Sequence, residues 1–101
     1  MNVKRPEECA TMGDVRAGVD ATDRELMALL DRRFGYMGAA ARIKETRGAV
    51  RDEERKAFVI EQAVIDAEAR GLPGDLVADI WELLVEGSIA YEFAEWDRTR
   101  D

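Results

Sequence analysis

Apolar residues recur at three- and four-residue spacing through most of the chain, and β-branched alternation is almost absent. Helices are therefore expected and strands are not. Breakers are few. Pro6 closes a short N-terminal arm, Gly48 marks a small turn, and the run Gly71, Leu72, Pro73, Gly74 is a clear interruption. The first predicted helix runs from Met12 or Gly13 to about Thr46, with Thr11 or Asp14 accepting from its free N–H groups. Its apolar line is Val15, Val19, Leu26, Leu29, Leu30, Met37, Ala40 and Ala41. The second runs from about Asp52, a natural N-cap, to Arg70, with Gly71 as C-cap and Phe58, Val59, Val64 and Ile65 as its apolar side. The third runs from Gly74 or Asp75 to about Arg98, with Leu76, Val77, Ile80, Trp81, Leu84 and Tyr91 facing inward. The first helix would be roughly 50 Å long at 1.5 Å per residue. Two shorter helices of the same chain cannot cover such a stripe, so a second copy of the chain is expected to do so.

Composition narrows the function. The 101 residues suit a single domain spanning 1–101. Lys and Arg total 15 against 22 Asp and Glu, a net charge of −7, which argues against a general binder of nucleic acid or anionic membrane. The absence of His removes histidine general-base catalysis and histidine metal sites, and a lone Cys9 leaves no internal disulfide or cysteine metal cluster. No apolar run reaches the roughly 20 residues that span a bilayer, and the opening MNVKRPEECATMG lacks a signal-peptide core, so a cytoplasmic protein is expected.

The informative positions are polar residues on apolar stripes. Arg33 and Lys44 lie eleven residues apart on the first helix and so share a face to within about 20°. A cation there is costly unless it snorkels or pairs, for example with Asp31 or Glu82. The third helix continues from Ile80 and Leu84 into Ser88 and Glu92 at the same spacing. Ser88 can bond back to its own helix, whereas Glu92 must face solvent or neutralise Arg33 or Lys44. Arg47, Arg51, Asp52 and Arg55 form either a solvated turn or the rim of a cationic pocket. Arg16, about 100° off the Arg33/Lys44 line, could reach such a pocket from a partner chain. Several cations with a Ser and a Glu opposite suit a small dianion. Without a nucleophile or phosphate loop, the chemistry that fits is a unimolecular rearrangement or pericyclic elimination, driven by conformer selection and placed charge.

These residues resemble the all-α (AroQ-type) chorismate mutases. DVRAGVDATDRELMALLDRRF, ARIKETRGAVRDEER and LLVEGSIAYE carry the likeness, which extends from Met12 to about Arg98. The resemblance implies an intertwined helical homodimer with two sites, no cofactor and no metal. Arg16 of the partner chain and Arg33 would bind substrate carboxylates. Lys44 would contact the ether oxygen and a carboxylate. Asp52 would take the substrate hydroxyl, Arg55 would hold the pocket's charge, and Ser88 would lie near a carboxylate. Glu92 would face the ether oxygen opposite Lys44, which requires it to carry a proton. One departure is Lys56, where the family often has Glu, a change that bears on substrate preference.

The ends of the chain, RPEECATMGDVRAGVD and IAYEFAEWDRTR, also resemble isochorismate pyruvate lyases, which make salicylate. Asp52, Ser88 and Glu92 favour the mutase and the two ends favour the lyase; on balance the mutase is expected. Two readings without chemistry compete with both, a helical dimerisation module and a dianion sensor.

Overall fold

A computed structural model describes residues 3–100 of the chain. A short 3-10 turn at Pro6–Glu8 precedes helix α1, Met12–Ile43. A second 3-10 turn, Arg47–Val50, leads to α2, Glu53–Ala69, and α3 follows at Gly74–Arg98. No strand occurs among the described residues. The three expected helices are thus present and the class is all-α. Asp52 is the N-cap of α2, its Oδ1 accepting from the Arg55 N–H at 3.0 Å. The helix ends on Gly71 at φ 73°, in the left-handed region that glycine enters without penalty. Among the described residues no helix is long and apolar enough to cross a membrane.

Packing divides the chain within α1, between Gly35 and Tyr36. In the first unit both expected acceptors cap α1. Thr11 Oγ1 accepts from the Asp14 N–H at 3.1 Å, while Asp14 Oδ2 accepts from the Ala10 and Thr11 N–H groups at 3.1 and 3.3 Å. Those backbone donors, with Lys4 beside them, hold the Asp14 carboxyl below its ordinary pKa. The N-terminal arm lies along α1 and leaves an open groove of about 770 Å³, edged by Val3, Pro6, Cys9, Val15 and Val19. Val15, Val19, Leu26 and Leu29 remain exposed, so this unit leaves much of the apolar line of α1 uncovered.

The second unit holds the core. Val50, Val85 and Ile89 are buried, with Val59, Ile60, Trp81, Phe93 and Trp96 packed around them. The inward face of α3 differs from the expected one. Leu76, Ile80 and Tyr91 are exposed, and the buried line runs through Val85, Ser88, Ile89 and Glu92. The 3-10 turn and α2 cover only one arc of α3, and its register places Trp81, Val85 and Ile89 on that arc at four-residue spacing. Phe58 and Ile65, expected on the apolar side of α2, are also exposed, while Ala67 is buried.

The helix α1 ends at Ile43, short of the expected Thr46, and carbonyls at its end are capped from α3 and the residues after it. Trp96 Nε1 donates to Lys44 O at 3.0 Å, and Arg100 Nη2 donates to Ala41 O at 3.0 Å and Lys44 O at 2.6 Å. Acidic residues of α3 then neutralise the charged turn. Arg51 binds Glu86 through two nitrogens, at 3.1 and 2.8 Å, and Glu53 at 2.7 Å. Lys56 Nζ meets Glu82 and Glu86, both at 2.8 Å. Arg47 pairs with Asp97 at 2.8 Å over the Phe93 ring. Glu82, expected as a partner for a stripe cation, is taken by Lys56.

Two outcomes follow from this packing. Ile89→Ala should cost about 2–4 kcal/mol in chemical denaturation, the usual loss for an aliphatic side chain truncated in a core. Hydrogen bonds from Arg51 and then Lys56 lower the Glu86 pKa from 4.5 to about 2. A carboxylate whose pKa is depressed by folding adds stability that is complete above 4.5 and lost as pH falls toward about 2. Glu86→Gln should lower the thermal midpoint at neutral pH, and the deficit should shrink as pH falls through that range. An equal deficit at every pH would contradict this assignment.

Candidate functional site

Lys44 follows the last turn of α1, and its N–H still donates to Ala40 O at 2.9 Å. Its side chain reaches α3, where Nζ donates to Glu92 Oε2 at 2.6 Å. The Glu92 side chain is only 6% exposed, against 30% for Lys44. A carboxylate this deeply placed needs a compensating charge, and Lys44 provides it. Ser88 lies one turn earlier on the same face of α3, also buried, with its hydroxyl donating to Leu84 O at 2.7 Å. Four-residue spacing therefore aligns Ser88, Glu92 and Trp96 along one strip of α3. Every buried side-chain nitrogen and oxygen among the described residues has a hydrogen-bond partner.

This is the part of the expected site that the structure brings together: Lys44 against Glu92, with Ser88 beside them. Of the two alternatives for Glu92, solvent or pairing, it pairs, and its partner is Lys44. Asp52 and Arg55 stand at the start of α2, both exposed. The Arg55 guanidinium lies 5.4 Å from the Phe58 ring centroid and pairs with no carboxylate among the described residues. The neighbouring Arg51 ties this segment to Glu86, two residues before Ser88. Arg16 and Arg33 lie on α1 in the first unit, Arg16 exposed and Arg33 half-buried.

Three contributors were not singled out from the sequence. Glu86 gathers Arg51 and Lys56, while Trp96 and Arg100 hold the Lys44 carbonyl. Glu86 lies two residues before Ser88 and Trp96 four after Glu92, so helical spacing from the two named positions could have found them. Arg100 follows α3 and has no periodic signal. Lys56 was noted only as a departure from a family pattern; its ammonium is committed to two carboxylates, which raise its pKa.

Chemically, the Lys44–Glu92 pair is an exchangeable site. An anionic oxygen arriving at Lys44 would compete with Glu92 for the ammonium. A protonated Glu92 would instead donate, so that a neutral oxygen between the two residues could accept from both.

The family model for chorismate mutase type II matches residues 15–93, a span that includes every candidate residue from Arg16 to Glu92. An isochorismate pyruvate lyase of Pseudomonas aeruginosa is 31% identical over 98 residues, covering 97% of this chain and 97% of the lyase. The T-protein of Haemophilus influenzae is 28% identical over 80 residues, or 78% of this chain but 21% of the T-protein. With the family model covering most of its length, the chain belongs to the chorismate mutase type II family.

Proposed function

We propose that the protein is a chorismate mutase, converting chorismate to prephenate by holding the reactive conformer and stabilising charge on the breaking ether bond. The observation that carries this reading is the buried Lys44–Glu92 pair, 2.6 Å apart with Ser88 on the same strip of α3. In the bound state Lys44 and a protonated Glu92 donate to the ether oxygen from opposite sides. Arg33 of the same chain and Arg16 of a partner chain bind the two carboxylates. Asp52 takes the ring hydroxyl, Arg55 adds positive charge at the mouth, and Ser88 lies near a carboxylate. Preorganised donors of this kind need no cofactor, because the bonds that form and break all belong to the substrate.

The same reading includes a homodimer and a cytoplasmic location. Val15, Val19, Leu26 and Leu29 are exposed along the first half of α1. A second copy covering this line would bring Arg16 into the neighbouring copy's site. The alternative activity is isochorismate pyruvate lyase, yielding salicylate and pyruvate, favoured by a lyase relative matching 97% of the chain. Asp52, Ser88 and Glu92 favour the mutase.

Incubation of the purified protein with each compound separates these readings. Chorismate should give prephenate faster than isochorismate gives salicylate and pyruvate; the reverse order would assign the lyase, and no turnover of either would refute both. Lys44→Ala should reduce turnover by about 10²–10³-fold, the usual loss when one preorganised donor is removed. A dimerisation module would show no turnover to lose, and the fold would be destabilised under either reading because Glu92 is left without its cation. Because Glu92 must donate, Glu92→Gln, which keeps a neutral donor at this position, should retain far more mutase activity than Glu92→Ala. Equal activity in Glu92→Gln and Glu92→Ala would count against Glu92 as donor.

A further inference from the structure

Lys44 lies just beyond α1, where the backbone carbonyls have no helical partners. Its carbonyl accepts from the Trp96 indole N–H at 3.0 Å and from Arg100 Nη2 at 2.6 Å. The same Arg100 nitrogen lies 3.0 Å from Ala41 O and 3.5 Å from Arg42 O, so one guanidinium gathers the terminal carbonyls of α1. That guanidinium is stacked on Trp96, 4.6 Å from the ring centroid, and its other terminal nitrogen donates to Thr99 Oγ1 at 3.0 Å. A cation here also faces the negative end of the α1 dipole. On α3, Glu92 and Trp96 are four residues apart and share a face. One strip of α3 therefore grips Lys44 twice, by its side chain through Glu92 and by its backbone through Trp96, with Arg100 closing over the second grip.

We infer that Arg100, stacked on Trp96, is a positioning residue that fixes the backbone of Lys44 and so aims its ammonium at the reacting oxygen. This rests on the reading of Lys44 as the group that meets the substrate. A lysine stem has four rotatable carbons, so its head is placed no better than its backbone, and loss of alignment at a reacting centre lowers rate far more than binding. Carboxylate binding by Arg16 and Arg33 would be left in place. The signature is therefore a fall in kcat with little change in KM.

Three variants test it, Arg100→Ala, Arg100→Lys and Trp96→Phe, each assayed on the full chain with chorismate and isochorismate. Arg100→Ala should lower kcat about tenfold and leave KM within about twofold. Arg100→Lys, which keeps a cation for the carbonyls but loses the planar stack, should recover part of the loss. Trp96→Phe keeps the ring and removes the indole donor, and should fall between wild type and Arg100→Ala. Unchanged kcat in Arg100→Ala, or a loss carried wholly by KM, would overturn the inference. Amide hydrogen exchange provides a readout without substrate. The Lys44 amide should exchange about tenfold faster in Arg100→Ala, with amides in the middle of α2 unchanged. Equal exchange at Lys44 would overturn the tether. If wild type turned over neither compound, the functional reading would fail while this exchange comparison still tested the tether.

Discussion

The arrangement depends on one buried charge. Glu92 sits in the face of α3 that packs the core, where a carboxylate is tolerated only beside a cation. Lys44 supplies that cation from just beyond α1, which stops at Ile43, and Trp96 and Arg100 hold the Lys44 carbonyl. The end of α1 and the buried strip of α3 thus meet at one neutralised acid.

A second layer of charge fixes the start of α2. Arg51 and Lys56 converge on Glu86, and Lys56 also holds Glu82. This network anchors the segment that carries Asp52 and Arg55 to the helix that carries Ser88 and Glu92. Arg47, Arg51 and Lys56 are neutralised by neighbouring acids, while Lys44 stays partly exposed and Arg55 keeps its charge free of a carboxylate.

Much of this was legible in the sequence, and the losses have physical causes. Helix number and the starts of α2 and α3 followed from breakers and caps, because Asp52 and Gly71 act through local backbone chemistry. The polar positions Lys44, Ser88 and Glu92 stood out because they break apolar periodicity. What periodicity could not supply was the inner arc of α3, since Ile80 and Val85 are equally apolar and only the surfaces supplied by α2 and the 3-10 turn choose between them. Nor could it pair Arg51 with Glu86, 35 residues away, or Arg100 with the end of α1, because such contacts depend on tertiary placement rather than spacing.

The central claim is that a small dicarboxylate ether is held at the Lys44–Glu92 pair. A crystal structure with a bicyclic dicarboxylate analogue of the rearrangement transition state tests it most directly. The expected result places the ether oxygen between Lys44 and Glu92 and one carboxylate on Arg16 of a second copy. An analogue bound elsewhere, or a Lys44–Glu92 pair still closed with Arg16 in solvent, would contradict the account.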